Sequence, residues 1–249
     1  MAFSIVFYIT FCSPDVKNSV AHAQAYVDHG MKSVQFDMPS RNPVFETPLV
    51  KGFMQEALAQ EPDYRVYMDA MAGFCHAHPQ IDTNLVVYPD VVDSIGRENF
   101  VDFIFATCIH TVMIAGGDPD LENFLRKSGI AVIGRIDRYL SDESLRCAAG
   151  IPAGTFNLNY KKHAEVMPHG CVSFADKIRY IRNAGVTGRI LAVEGISSVQ
   201  KLQEVIDAGA DGAIIGNALM NLWDDEARLW PFFDSLVACA GGQGGFGKE

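Results

Sequence analysis

Two carboxylates lie near each other in the first quarter of the chain: Asp37 in the run KSVQFDM and Glu46 in the Pro-rich stretch PSRNPVFETP. A carboxyl group can move protons near neutrality when burial or a second carboxyl raises its pKa. Side chains alternate along a strand, so Gln35 and Asp37 point to one side, with Asp37 nearer the strand's C-terminal end. An amide at position 35 cannot donate or accept a catalytic proton as a carboxyl does. Asp37 has two readings, proton transfer or a structural role in which it caps a loop amide or pairs with Arg41. Glu46 also has two: a working carboxylate or an exposed loop charge.

Other residues could line a ligand. Arg135 and Asp137 alternate with apolar neighbours in IAVIGRID, Asn157 and Asn159 do so in AGTFNLN, and Glu194 falls near the end of RILAVEG. Polar side chains in a packed interior are costly unless paired. They therefore form either a network, such as Arg135 with Glu194 or Asp137, or a polar pocket. Tyr8, Tyr88 and Phe156 are aromatic lining or plain core. Lys161, Lys162 and His163 bring positive charge or form a solvated face, and Lys161 could also condense with a carbonyl. The turns EGIS (Gly195, Ile196, Ser197) and IGNAL (Gly216, Asn217) carry glycines, which let an anion approach the backbone or simply allow tight turns. CHAH at 75–78 has no further ligand cluster beside it, so no metal is expected. No nucleophile elbow, P-loop or dinucleotide motif occurs, and no cofactor is expected.

The elements that position these residues follow from hydrophobic patterning. Short β-branched or aromatic runs alternate with longer amphipathic ones, the signature of βα units on a parallel sheet. Strands are predicted near 3–10, 32–38, 83–88, 111–116, 130–136, 153–159, 189–195 and 211–216. Ser13-Pro14 opens a helix to about Gly30, with Val16, Val20, Ala23 and Val27 at helical spacing. Further helices are predicted near 49–60, 63–77, 96–107, 119–128, 141–148, 172–184, 197–210 and 225–239, with Ser197 as the N-cap of the penultimate one. Eight strands with intervening helices predict a (β/α)8 TIM barrel, a single domain over 1–240 with a Gly-rich tail at 241–249. The competing open doubly wound sheet usually has fewer strands, and no Gly-rich fingerprint follows the first strand. A barrel places its active site at the C-terminal ends of the strands, and phosphate against the loops after the seventh and eighth.

The bulk numbers agree. A chain of 249 residues suits one such barrel, and 49% hydrophobic with 20% charged residues is ordinary globular composition. A net charge of −10 argues against nucleic acid or an anionic membrane as partner, while leaving room for a small anionic substrate at a local site. Six scattered cysteines without a C-x-x-C pair read as reduced thiols, hence a cytoplasmic protein. The apolar N-terminus has no basic region and is too short to span a membrane.

The segments YITFCSPD, SVQFDMPSRNPVFETPLVKGFMQEAL and EGISSVQKLQEVIDAGADGAIIGNALM together resemble the tryptophan synthase α subunit family. That family is a barrel that cleaves indole-3-glycerol phosphate by a retro-aldol reaction. The resemblance implies a lyase acting on a small phosphorylated substrate, with a β-type partner subunit or a homo-oligomer as possible assemblies. It covers most of the chain in layout and is weakest through the fourth to sixth strands. Gln35 stands where the family has a proton-transferring glutamate, Asp37 where it has glycine, and Glu46 where it has its second catalytic carboxylate, an aspartate. Tyr88 matches a tyrosine of the indole pocket, Tyr8 replaces a phenylalanine, and Phe156 falls near a tyrosine. Gly216-Asn217 replaces Gly-Ser. The family's Gly-Val-Thr-Gly after the sixth strand is absent; the GVTG at 185–188 precedes the seventh strand and lies at the other end of a barrel. These departures imply a substrate other than indole-3-glycerol phosphate, a silent paralogue that binds a ligand or partner, or an aldolase or isomerase on the same scaffold.

Overall fold

The computed structural model describes residues 3–11, 13, 15–160 and 168–241. They fall into two compact units, one formed by Tyr8–Val132 and the other by the described residues of Met1–Phe7 and Ile133–Glu249. The first strand, β1 (Ser4–Thr10), contributes to both.

In chain order, the Tyr8–Val132 unit continues with α1 (Val16–Asp28), β2 (Ser33–Asp37), α2 (Pro48–Gln60), α3 (Tyr64–Ala77), β3 (Asp82–Val87), α4 (Pro89–Ile95), α5 (Arg97–Ala106), β4 (Ile109–Ile114), α6 (Pro119–Lys127) and β5 (Ala131–Val132). The strands lie in the order β5-β4-β3-β2-β1. The β2–β3 and β3–β4 pairs are parallel and align Gln35 with Asn84 and Asn84 with Thr111. Phe36 packs edge-on against Phe11 and against Phe74 of α3, with ring centroids 4.7 and 5.1 Å apart. Since Phe36 faces the helix layer, alternation turns Gln35 and Asp37 to the opposite face of β2.

The other unit continues with β6 (Gly134–Ile136), α7 (Asp142–Ala149), β7 (Thr155–Asn159), α8 (Phe174–Asn183), β8 (Arg189–Val193), α9 (Val199–Asp207), β9 (Gly212–Ile215), α10 (Asn217–Met220) and α11 (Glu226–Gly241). Its strand order is β1-β9-β8-β7-β6, and the four neighbouring pairs are parallel. Phe7 stacks on Phe233 of α11 at 4.3 Å. An ion pair between Arg182 and Asp211 at 2.5 Å ties the end of α8 to the start of β9.

Several sequence expectations are corrected. The predicted fifth strand is two short strands, β5 and β6, interrupted at Ile133. The helix expected near 96–107 is preceded by another, α4, and α10 was not foreseen; both are too short for a 3.6-residue period to stand out. The N-cap of α1 is Asp15, and its buried residues are Ser19, Ala23 and Tyr26 rather than the valines. The N-cap of α9 is Ser198, whose side chain accepts from Lys201 N–H; Ser197 instead accepts from Lys201 Nζ at 2.9 Å. The terminal helix runs through Gly241, into the segment expected as a tail; 242–249 lie outside the described residues.

Gly212 marks the closest approach in the β1–β9 pairing. A Cβ there would stand 2.5 Å from the Ser4 carbonyl oxygen and 2.8 Å from Leu191 Cδ2. Backbone cannot yield as a flexible side chain can, so Gly212→Ala should lower stability by about 1–3 kcal/mol. Urea unfolding checks this; an unchanged midpoint would show that the strands can part at no cost.

Candidate functional site

β2 carries the centre of the site. Its five residues are all buried, an arrangement that suits a strand covered on both faces. Asp37 is 1% exposed. One carboxylate oxygen accepts from the Phe11 N–H at 3.0 Å, and the other accepts a short hydrogen bond from the Tyr8 hydroxyl. The Thr10 hydroxyl also bonds to this pair. Asp37 therefore does cap a loop amide, one of the two structural roles open to it. It makes no ion pair with Arg41, whose main-chain N–H donates to Asp90 at 2.9 Å.

Glu46 completes a second contact. The segment between β2 and α2 is fixed at its root by Asp90, which accepts from the Ser40 hydroxyl at 2.8 Å as well as from Arg41, and by the Tyr64 hydroxyl, which donates to the Pro39 carbonyl at 2.9 Å. At its tip Val44 and Phe45 are exposed, and the Phe45 ring lies against Gly116. Glu46, by contrast, turns inward, is half-buried, and accepts from the Tyr88 hydroxyl at 3.1 Å. Tyr88 does not end a strand; it is the buried N-cap residue of α4.

Electrostatics follow from this burial. Loss of water pushes the Asp37 carboxyl up to about 7, and the nearby Glu46 charge pushes the same way; the Tyr8 and Phe11 hydrogen bonds oppose them. Desolvation, then Asp37 and Glu46, hold the Tyr8 hydroxyl well above its ordinary value. Tyr88 is raised by burial and by Glu46. A carboxyl group that titrates near 7 is present in both forms at neutral pH and can donate or accept a proton. Gln35, 3% exposed on the same face, has a side-chain N–H2 group with no hydrogen-bond acceptor among the described residues.

The other unit holds the glycine turns. In β8–β9 pairing Ala192 lies opposite Ala213, and continuing that register brings Gly195 level with Gly216. Gly195 adopts φ +83°, a left-handed conformation natural to glycine, and Glu194 before it adopts φ +63°, which costs a non-glycine residue on the order of 1 kcal/mol. Ser197 and Asn217 are exposed, while Ile196 is buried and anchors its turn. Glu194 accepts from Asn159 Nδ2 at 2.7 Å, so part of the expected polar network forms. Arg135 takes no part in it: it is exposed, and Asp137 instead accepts from the Tyr139 N–H at 2.6 Å and from Ser141. Asn157 is buried, in register with Arg135. Phe156 is placed in the core, filling the room left by Gly134, Gly154 and Gly188, where a Cβ would come within 2.7 Å of its ring. Lys161, Lys162 and His163 lie outside the described residues.

CHAH has other partners: the free thiols of Cys75 and Cys108 hydrogen-bond to each other, and His78 Nε2 lies 2.7 Å from Gln24 Oε1. No group of three His, Cys, Asp or Glu able to hold a metal occurs among the described residues. No helix of the described residues is long and apolar enough to cross a membrane.

No family model matches the sequence. The tryptophan synthase alpha chain of Vibrio vulnificus (strain YJ016) is 23% identical over 220 residues, covering 86% of this chain and 82% of its own length. Among solved structures, tryptophan synthase from M. tuberculosis matches with a TM-score of 0.79 at 18% identity, covering 96% of this chain and 92% of that one. The tryptophan synthase subunit alpha from Legionella pneumophila str. Paris gives 0.79 at 17% identity, with 96% and 93% covered. The fold is the (β/α)8 TIM barrel, with the fifth strand position split into β5 and β6. Within that class the chain is a divergent relative of the tryptophan synthase alpha chains.

The raised Asp37 pKa has a sign. A carboxyl lifted from the ordinary range to about 7 by folding favours the protonated form, so its contribution to stability is full below the ordinary carboxylate pKa and is lost as pH rises through about 7. Asp37→Asn removes that loss. The variant should therefore lose less thermal stability than the parent between about pH 5 and about pH 8. Parallel melting curves across that range would mean that Asp37 titrates as an ordinary carboxylate.

Proposed function

We propose that this protein is a lyase of the tryptophan synthase alpha type that cleaves a carbon–carbon bond in a small phosphorylated substrate other than indole-3-glycerol phosphate. The observation that carries the reading is the buried Asp37 carboxyl, poised near neutrality beside Glu46. In a retro-aldol cleavage a base removes the proton of a hydroxyl group, the bond between the neighbouring carbons breaks, and an acid protonates the carbon or heteroatom that receives the electron pair. Protonated Asp37 is the acid; Glu46, half-buried against Tyr88, is the base. Tyr8 holds the Asp37 carboxyl in place.

The phosphate part of the reading stands on a different feature and is tested apart. Gly195, Ile196, Ser197, Gly216 and Asn217 offer main-chain N–H groups at two turns on neighbouring parallel strands. Sulfate or phosphate soaked into crystals should occupy that corner; ordered, open turns without an anion would sink this part.

Gln35 supports a second reading, a silent binding paralogue, because the amide removes the family's proton-transferring group. One experiment separates the two. The protein, Asp37→Asn and Glu46→Gln are incubated with a panel of aldol-type phosphate esters that includes indole-3-glycerol phosphate, and released aldehyde or indole is measured. The lyase reading expects cleavage of at least one ester, slowed about 10²–10⁴-fold in each variant, with indole release below the family's ordinary rates by a similar factor. Full turnover in both variants would make the carboxylates structural; no cleavage across the panel would favour the silent reading.

A further inference from the structure

On the strand face that carries Gln35, Asn84 and Thr111, one buried side-chain nitrogen has no hydrogen-bond partner among the described residues. Gln35, Asn84 and Thr111 stand side by side on β2, β3 and β4 by register. Asn84 has a partner at each end of its amide: its oxygen accepts from the Thr111 hydroxyl and its Nδ2 donates to the Val34 carbonyl at 3.5 Å. Gln35 Nε2, equally deep, has no acceptor among the described residues. A buried donor left unpaired costs on the order of 1–3 kcal/mol, so it calls for an acceptor from outside the protein, an ordered water or a ligand oxygen.

A second donor lies two residues on. When Asp37 is protonated, the Tyr8–Asp37 pair carries two protons, and their shared hydrogen bond uses only one. With the Thr10 hydroxyl donating into the pair, the other O–H can turn outward as a donor. Residues i and i+2 of a strand are about 6.6 Å apart. Two side chains that leave one strand face at that spacing can both reach a single oxygen atom set between them. An aromatic hydrocarbon face would leave both donors buried and unmet.

We propose that Gln35 Nε2 and the Tyr8–Asp37 pair are a two-donor grip for a single carbonyl oxygen, so that the group bound at β2 is a ketone or aldehyde rather than an aromatic ring. This rests on the lyase reading for its place in a reaction: the same two donors would stabilise negative charge gathering on that oxygen as the neighbouring bond breaks. Gln35 thereby becomes a substrate-contacting residue with its own role, and not merely the relic of a lost carboxylate.

The test is a binding comparison that needs no turnover. Dihydroxyacetone phosphate and glycerol 3-phosphate differ only in a carbonyl against a hydroxyl-bearing carbon, so their difference cancels the phosphate contribution. Calorimetric titration of the intact protein should show the ketone bound about tenfold more tightly, a preference that Gln35→Met abolishes. Gln35→Met should also melt at or above the parent temperature, since it removes an unpaired donor at nearly constant volume; a purely structural amide would instead melt lower on removal. Equal affinity for the two probes, failure of both to bind, or a ketone preference that survives Gln35→Met overturns the proposal. The wild-type comparison decides the matter even if the variant does not fold. A ketone preference in a protein that cleaves nothing would leave the grip standing while the lyase reading falls.

Discussion

The burial of one carboxyl group organises the Tyr8–Val132 unit around β2. Asp37 is out of water, and among the described residues no cation matches its charge: the groups that touch it are a hydroxyl on β1, a second hydroxyl beside it and a main-chain N–H. Hydrogen bonds alone do not offset the desolvation of a full charge, so the carboxyl keeps its proton far above the ordinary range. An arginine in place of Tyr8 would give a stable anion with nothing to donate. The neutral partners keep the proton available.

The surrounding structure maintains that condition. Phe36, facing the helices between Phe11 and Phe74, sets the rotation of β2 and thus which face Asp37 presents. The segment after β2 is held at Asp90 and Tyr64, which turns Glu46 toward Tyr88 instead of toward solvent. Glu46 then acts on Asp37 at a distance, through its charge, and raises the same pKa that burial raises. Two carboxylates with different exposures can hold different protonation states at one pH, which is what acid and base roles require.

Much of this was legible in the sequence. Alternating runs gave the βα order, and the strand spacing alone placed Gln35 with Asp37. The fifth strand reads as one element because the apolar run IAVI leads straight into Gly134-Arg135-Ile136, and a lone glycine is a weak mark of the interruption at Ile133. The pairing of Tyr8 with Asp37 spans 29 residues, and no local pattern encodes such a contact. Phe156 stays open between pocket and core in the sequence because its three glycine neighbours are scattered at 134, 154 and 188 and meet only in the fold. Arg135 looked like a network partner from its position in a strand, yet Asp137 is spent on its own turn, through Tyr139 and Ser141. Here short-range turn chemistry occupies both Asp137 oxygens, as it often does for aspartates before free amides.

The division of β1 between the two units bears on how the chain is made. Tyr8–Val132 is one uninterrupted stretch, so every contact inside it is available once that stretch has left the ribosome. Residues 4–7 are different: their register partners are Gly212 to Ile215, synthesised some two hundred residues later. At about 5–20 residues per second, this leaves on the order of ten seconds or more during which the β9-side edge of an apolar, β-prone segment has no partner. For a newly made chain, these few residues are the ones for which a chaperone's shelter would matter most.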